Sequence, residues 1–225
     1  LWPEHMNLEE LKALRDDPNH PKYVGSIVFA QEYQNKPLSE DDLIVKPENI
    51  KWIDELPENT VIRRTVLAIR PAVSQRDTAD PTAKVVASLD QFGNVFVRYV
   101  GNDRFSVSEN GADIQRLNAR FSPERIGIEE GALGLVFKDL LAGLPLVGLK
   151  ANADKTSRLV SVSRFFESGK IYFLQNTNKI QGLHDQLMEF PNGAHDDMVD
   201  AMVYAIRMLL VDGQKLVSAD DFVLS

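Results

Sequence analysis

The sequence predicts an α/β fold: a mixed central sheet flanked by helices, with an arm at its N-terminus. Three β-rich runs follow one another between residues 61 and 100, and helix-period and strand-like segments then alternate as far as residue 210. The chain has 225 residues, 44% hydrophobic and 26% charged, which is enough apolar material for one large core. No apolar run reaches the ~20 residues of a membrane-crossing helix. No signal peptide opens the sequence, so a globular intracellular protein is expected. The absence of cysteine excludes a disulfide scaffold, a thiolate nucleophile and any thiolate-ligated metal. Thirty-three acidic against 25 basic residues give a formal charge of −8. That balance argues against a general nucleic-acid coat, but not against a DNA enzyme whose acids collect cations.

The elements follow in order. Residues 1–57 read as an arm lying on the body, and residues 58–225 as the body itself. In the arm, Asn7 is placed to cap a helix, with Glu10 three residues on and Leu8, Leu11 and Leu14 at helical spacing. A second apolar-bearing stretch covers 23–33 and ends in the turn chemistry of Gln34-Asn35-Lys36-Pro37. In the body, 61–69, 83–89 and 94–100 read as strands from their β-branched content and alternation. Ile114, Leu117 and Phe121 place a helix over 112–121, and 125–128 is a short strand. Leu133, Val136, Phe137, Leu140 and Leu141 mark another helix, and 146–149 another strand. A helix over 155–166, an extended run over 170–174 and helices over 180–190 and 195–210 complete the body.

The common catalytic signatures are missing. Gly169-Lys170 lacks the upstream glycine of a phosphate-binding loop, and there is neither a G-x-S-x-G elbow nor an H-E-x-x-H helix. The four histidines (His5, His20, His184, His195) have no ligand spacing between them. One cluster does stand out. His195-Asp196-Asp197-Met198-Val199-Asp200 sets three carboxylates at the start of an apolar helix, and the pairs 197/200 and 196/200 share a face. Acids in a first turn also suit the helix dipole, which accounts for Asp196 and Asp197 better than for Asp200. Two carboxylates about 4 Å apart repel by roughly 4 kcal/mol at an effective dielectric near 20, so a true cluster needs a cation. Glu129 ends the strand 125–128, at the carboxyl edge where open α/β sheets hold ligands. Together with Asp196, Asp197 and Asp200 it would make an all-oxygen site suited to Mg²⁺ or Mn²⁺.

Four stretches together carry a family likeness: Leu1-Trp2-Pro3-Glu4, the run from Phe29 to Pro37, Ile128-Glu129 ending a strand, and the helix start from His195 to Ala201. On these the chain resembles the C-terminal nuclease domain of the tailed-bacteriophage terminase large subunit. The resemblance implies an RNase H-like fold and Mg²⁺- or Mn²⁺-dependent cleavage of concatemeric double-stranded DNA in the host cytoplasm. It further implies an ATPase domain ahead of residue 1, with the capsid portal and the small terminase subunit as partners. In that pattern a first-strand aspartate, Glu129 and Asp197 ligate metal, Asp196 and Asp200 serve as alternative or second-metal ligands, and metal-activated water attacks the phosphodiester.

The departure is Arg70, which stands in Ile69-Arg70-Pro71-Ala72 where the family carries the aspartate. An arginine cannot ligate a metal. Its fork is expected to pair bidentately with Glu129 or Asp197 in place of the missing cation, leaving little or no cleavage activity. For DNA, the body offers Lys138, Lys150, Lys155, Arg158, Arg164 and Lys170. Lys155 and Arg158 share a helix face at three-residue spacing, and the resemblance, in which a Lys and an Arg often stand at this helix, favours them together with Lys150. Asp80 matches another recurrent family acid or is a plain turn residue. Two rivals remain open: another RNase H-like nuclease such as a junction resolvase, and a non-catalytic module that grips DNA or docks to the portal.

Overall fold

The computed structural model describes residues 7–36, 43–71, 81–131, 136–137, 139–150 and 153–211. Leu1 to Glu4, Pro37, Asp80, Leu133 and Lys138, all used in the sequence reading, lie outside these. Among the described residues seven strands form the sheet: β1 (Lys51–Ile53), β2 (Ile62–Arg70), β3 (Thr82–Asp90), β4 (Val95–Asp103), β5 (Arg125–Glu129), β6 (Leu146–Leu149) and β7 (Ile171–Leu174). Their spatial order is β1-β7-β4-β3-β2-β5-β6. β2, β3 and β4 form an antiparallel meander, while β5, β6, β7 and β1 add in parallel pairings. The described helices are α1 (Leu8–Asp16), α2 (Ser26–Gln34), α3 (Val107–Phe121), α4 (Lys155–Glu167), α5 (Ile180–Glu189) and α6 (Asp197–Leu210).

Alternation along the strands divides the core into two layers. Val66 and Ala68 of β2, Val85 and Ala87 of β3 and Val97 of β4 pack with α4, α5 and α6. Leu67, Ile69, Val86, Ile126 and Ile128 point the other way, against Ile114 and Leu117 of α3 and against Phe137 and Leu141. The central strands are apolar on both faces because both faces are covered. α6 is buried almost all round, from Met198 to Leu209, with Arg207 half-exposed. It lies close to the sheet: a Cβ on Gly127 would come within 2.7 Å of Met208 Sδ.

Two boundaries stand out against expectation. α3 begins at Val107, not at 112, because Ser106 and Glu109 form a reciprocal capping box that starts the helix ahead of its apolar positions. The expected domain boundary at residue 57 falls beyond β1, which is an edge strand of the sheet paired in parallel with β7. Ile44, Val45 and Ile50 are already in the core. Three-residue β1 is too short to show a period. Upstream, Asn7 caps α1 by accepting from the Glu10 amide at 2.8 Å. Glu167 of α4 accepts from the Ser26 amide at 2.8 Å at the start of α2.

Candidate functional site

Register builds the site. β2 and β5 are parallel, with Ile69 opposite Ile128, so Arg70 and Glu129 sit side by side one residue further on. Ile69 and Ile128 face α3, and the pleat therefore turns Arg70 and Glu129 toward α6. There Asp196 is the N-cap of α6, and Asp197 and Asp200 occupy its first turn. The helix is sunk into the core, which leaves Asp197 6% and Asp200 2% exposed. Glu129 and the three aspartates are thus brought to one edge of the sheet.

Cations lie among them. Arg70 donates through Nη1 to Asp197 Oδ1 and through Nε to Asp200 Oδ2 at 3.0 Å. The same Nε is 3.7 Å from Glu129 Oε2. The fork bridges two aspartates of one helix turn; it does not hold a single carboxylate bidentately. Burial opposes the charge on Arg70, but Asp197, Asp200, Glu129 and Asp196 outweigh it and hold the guanidinium above its ordinary pKa. Arg158 of α4, 5% exposed, donates Nη2 to Asp200 Oδ1 at 2.7 Å and Nη1 to the Ala153 carbonyl at 3.0 Å. Lys155, one helical turn earlier, donates to Asp196 Oδ1 at 2.7 Å. Three cations therefore face four carboxylates, leaving one net negative charge where the acids alone would leave four.

Lys155 and Arg158 do share a face, but it is turned to the acids. The phosphate role read from the spacing of Arg158 does not fit its position, because its guanidinium is buried and committed to Asp200. Lys155 remains 46% exposed along its side chain, and Lys150 is exposed at the end of β6. Arg164 reaches the Tyr23 carbonyl at 3.0 Å, and Lys170 the Phe92 carbonyl at 3.2 Å, both away from the acids. Tyr204 was missed in the sequence. Its hydroxyl donates to Glu129 Oε1 at 3.2 Å, and the Arg158 guanidinium lies 5.4 Å from its ring centre. Burial first, then the Glu129 charge, pushes the Tyr204 phenol well above its usual pKa. Its place four residues after Asp200 was the available signal.

A divalent ion does not fit this donor set as it stands. Among the described residues no three acids or histidines are arranged to hold a metal, because their oxygens are turned onto Arg70, Arg158 and Lys155. A guanidinium offers no lone pair in exchange.

Comparison with known proteins agrees with the architecture. The family model described as "Terminase RNaseH-like domain" matches residues 76–209, more than half of the chain. No curated protein matches at a significant level. Among solved structures, the large terminase of a thermophilic bacteriophage is 11% identical with a TM-score of 0.56, covering 74% of this chain and 43% of that one. The P22 large terminase nuclease domain is 11% identical with a TM-score of 0.52, covering 80% of this chain and 95% of that one. The nuclease domain of the bacteriophage SPP1 large terminase g2p, solved with bound Mn, is 15% identical with a TM-score of 0.50, covering 72% and 98%. At these identities the structures show the shared fold, and the chain spans under half the length of the thermophilic phage's terminase. With its mixed seven-stranded sheet and its acids gathered at one strand edge, the chain belongs to the terminase RNase H-like domain family.

Proposed function

We propose that this chain is the nuclease-fold domain of a viral DNA-packaging terminase, acting on concatemeric double-stranded DNA, and that Arg70 suppresses cleavage in it. The observation that carries the second half is the contact of Arg70 with both Asp197 and Asp200, with Glu129 close by. The family's ion-dependent chemistry needs those oxygens free, and here they are held by a cation that cannot be exchanged for Mg²⁺ or Mn²⁺. In this reading Arg70 ties β2 to α6, Arg158 ties α4 to the same aspartate, and Tyr204 orients Glu129. By the same reading the ATPase domain, the capsid portal and the small terminase subunit are partners, and the host cytoplasm is the place of action. The non-catalytic reading, a module that grips DNA without cutting it, is favoured by the same Arg70 contacts.

The test is incubation of supercoiled plasmid with Mn²⁺ or Mg²⁺, comparing the chain with Arg70→Asp. The chain is expected to leave the plasmid intact, and Arg70→Asp to nick or linearise it. Strong ion-dependent cutting by the unaltered chain would overturn the suppression. An inactive but folded Arg70→Asp would show that Arg70 is not what blocks the site.

A further inference from the structure

The sheet face opposite α6 carries cations that the nuclease reading does not use. In-register pairing lines up Thr65, Ser88, Phe96, Tyr172 and Lys51 across five strands. Over β2, β3 and β5 this face is covered by α3 and its neighbours. Toward β4, β7 and β1, the described surface is formed by half-buried Arg98 and Tyr172 and exposed Lys51, with Phe121 and exposed Arg120 from the end of α3 at the margin. The Arg98 guanidinium lies 5.3 Å and that of Arg120 4.8 Å from the centre of the Phe121 ring. Arg98 donates to Ser88 Oγ at 3.3 Å.

Neither Arg98, Arg120 nor Lys51 takes part in any salt bridge among the described residues. In a chain of net charge −8, Arg15, Arg64, Arg70, Arg116 and Arg158 all have acidic partners. Arg98 has the opposite environment: burial and then the charge of Arg120 both depress its pKa. Two guanidiniums stacked on one ring, with no carboxylate between them, raise each other's energy until an anion arrives. The ring fixes both planes, so little rotamer freedom is lost when their N–H edges are engaged. Strands lie about 4.8 Å apart, so Lys51 on β1 is about 10 Å across the sheet from β4.

We propose that this half of the sheet, uncovered among the described residues, binds the phosphodiester backbone of duplex DNA, through Arg98 and Arg120 with Lys51 at the margin. A duplex is favoured over a single strand because the aromatic rings described on this face already have a ring or guanidinium partner. The Phe121 ring is flanked by guanidiniums, and Tyr172 lies against Phe96 with ring centres 5.2 Å apart. The proposal rests on the duplex-DNA reading above but names residues on the other face of the sheet, so the two fail separately.

The test is fluorescence anisotropy of a labelled 20-base-pair duplex titrated with the full chain across a salt series. The variants are Arg98→Gln/Arg120→Gln and, since Arg120 is exposed, Arg120→Glu alone. The double variant is expected to bind about tenfold or more weakly, and its plot of log affinity against log salt to flatten by about 2. Arg120→Glu should weaken binding while keeping the parent's melting temperature. Unchanged affinity and slope in both variants would overturn the face, and would leave the nuclease reading standing if Arg70→Asp still cuts plasmid. Tighter binding of the same-length single strand, or saturable binding of a labelled poly-glutamate with no measurable duplex binding, would overturn it in favour of a different anionic partner.

Discussion

Replacing Arg70 by Met keeps most of the stem and removes the charge, and the structure sets the expected cost. Arg70 is 14% exposed along its side chain and faces Asp197 and Asp200 at 9% and 3%. Breaking a buried ion pair by removing one partner costs roughly 3–5 kcal/mol. The lower end applies, because Asp200 keeps Arg158 at 2.7 Å while Asp197 and Glu129 lose their shared cation. A loss of about 3 kcal/mol in a domain of this size lowers the melting temperature by about 6–12 °C. The same vacancy should make the variant responsive to Ca²⁺, a hard cation that suits oxygen ligands. At a hundredfold excess over its dissociation constant, Ca²⁺ returns about 2.7 kcal/mol. Circular-dichroism melts of parent and variant, with and without Ca²⁺, read both effects. A variant as stable as the parent would show that the Arg70 contacts contribute nothing. An equal Ca²⁺ response in the two proteins would show that Arg70 does not stand in for a metal.

Three other predictions follow from contacts away from Arg70. Lys84 is fully buried on β3 and pairs with Asp113 Oδ2 at 2.8 Å, and burial depresses its pKa. Asp113→Asn should cost about 3 kcal/mol in urea denaturation, and Lys84→Met/Asp113→Asn should recover most of it; equal loss in both would contradict the pairing. Gly127→Ala pushes a Cβ to 2.7 Å from Leu149 Cδ1 and Met208 Sδ and should cost about 1–3 kcal/mol. Adding Met208→Ala should relieve part of that, and no relief would mean that the clash is elsewhere. The Tyr23 phenol is pushed up to about 12, by burial and then by the Glu167 and Asp16 charges. Because that value lies above the ordinary ~10, the contribution is complete below pH 10 and fades as pH rises through 12. Tyr23→Phe should therefore lose less stability than the parent over that window, and equal losses would exclude it.

Much of the fold could be read from the sequence, because its central strands and α6 are strongly apolar and regularly spaced. The strands 61–69 and 83–89 match β2 and β3 to within a residue at each end. The failures have local causes. β1 is three residues long and gains its identity only from pairing with β7, so no pattern within residues 51–53 marks it. α3 starts five residues early on polar capping residues that carry no hydrophobic period. The site was readable as a set of acids: β5 and α6 do bring Glu129 together with Asp196, Asp197 and Asp200. Its cations were harder. Arg158 looks like a surface residue at three-residue spacing from Lys155, and only the packing of α4 on α6 shows that it is buried against Asp200. Arg70 was visible among the acids, and its pairing with Asp197 could be expected, since an arginine among carboxylates has few alternatives to pairing. That its fork spans Asp197 and Asp200 depends on the helix turn they share, which spacing allowed but did not require.

The most direct measurement is Mn²⁺ binding followed by the electron paramagnetic resonance signal of the free ion, titrated into the chain and into Arg70→Asp. If Arg70 occupies the place of the ion, the chain leaves Mn²⁺ free at concentrations at which Arg70→Asp removes it from solution. Saturable binding by the unaltered chain, with the affinity and stoichiometry of the variant, would contradict the account.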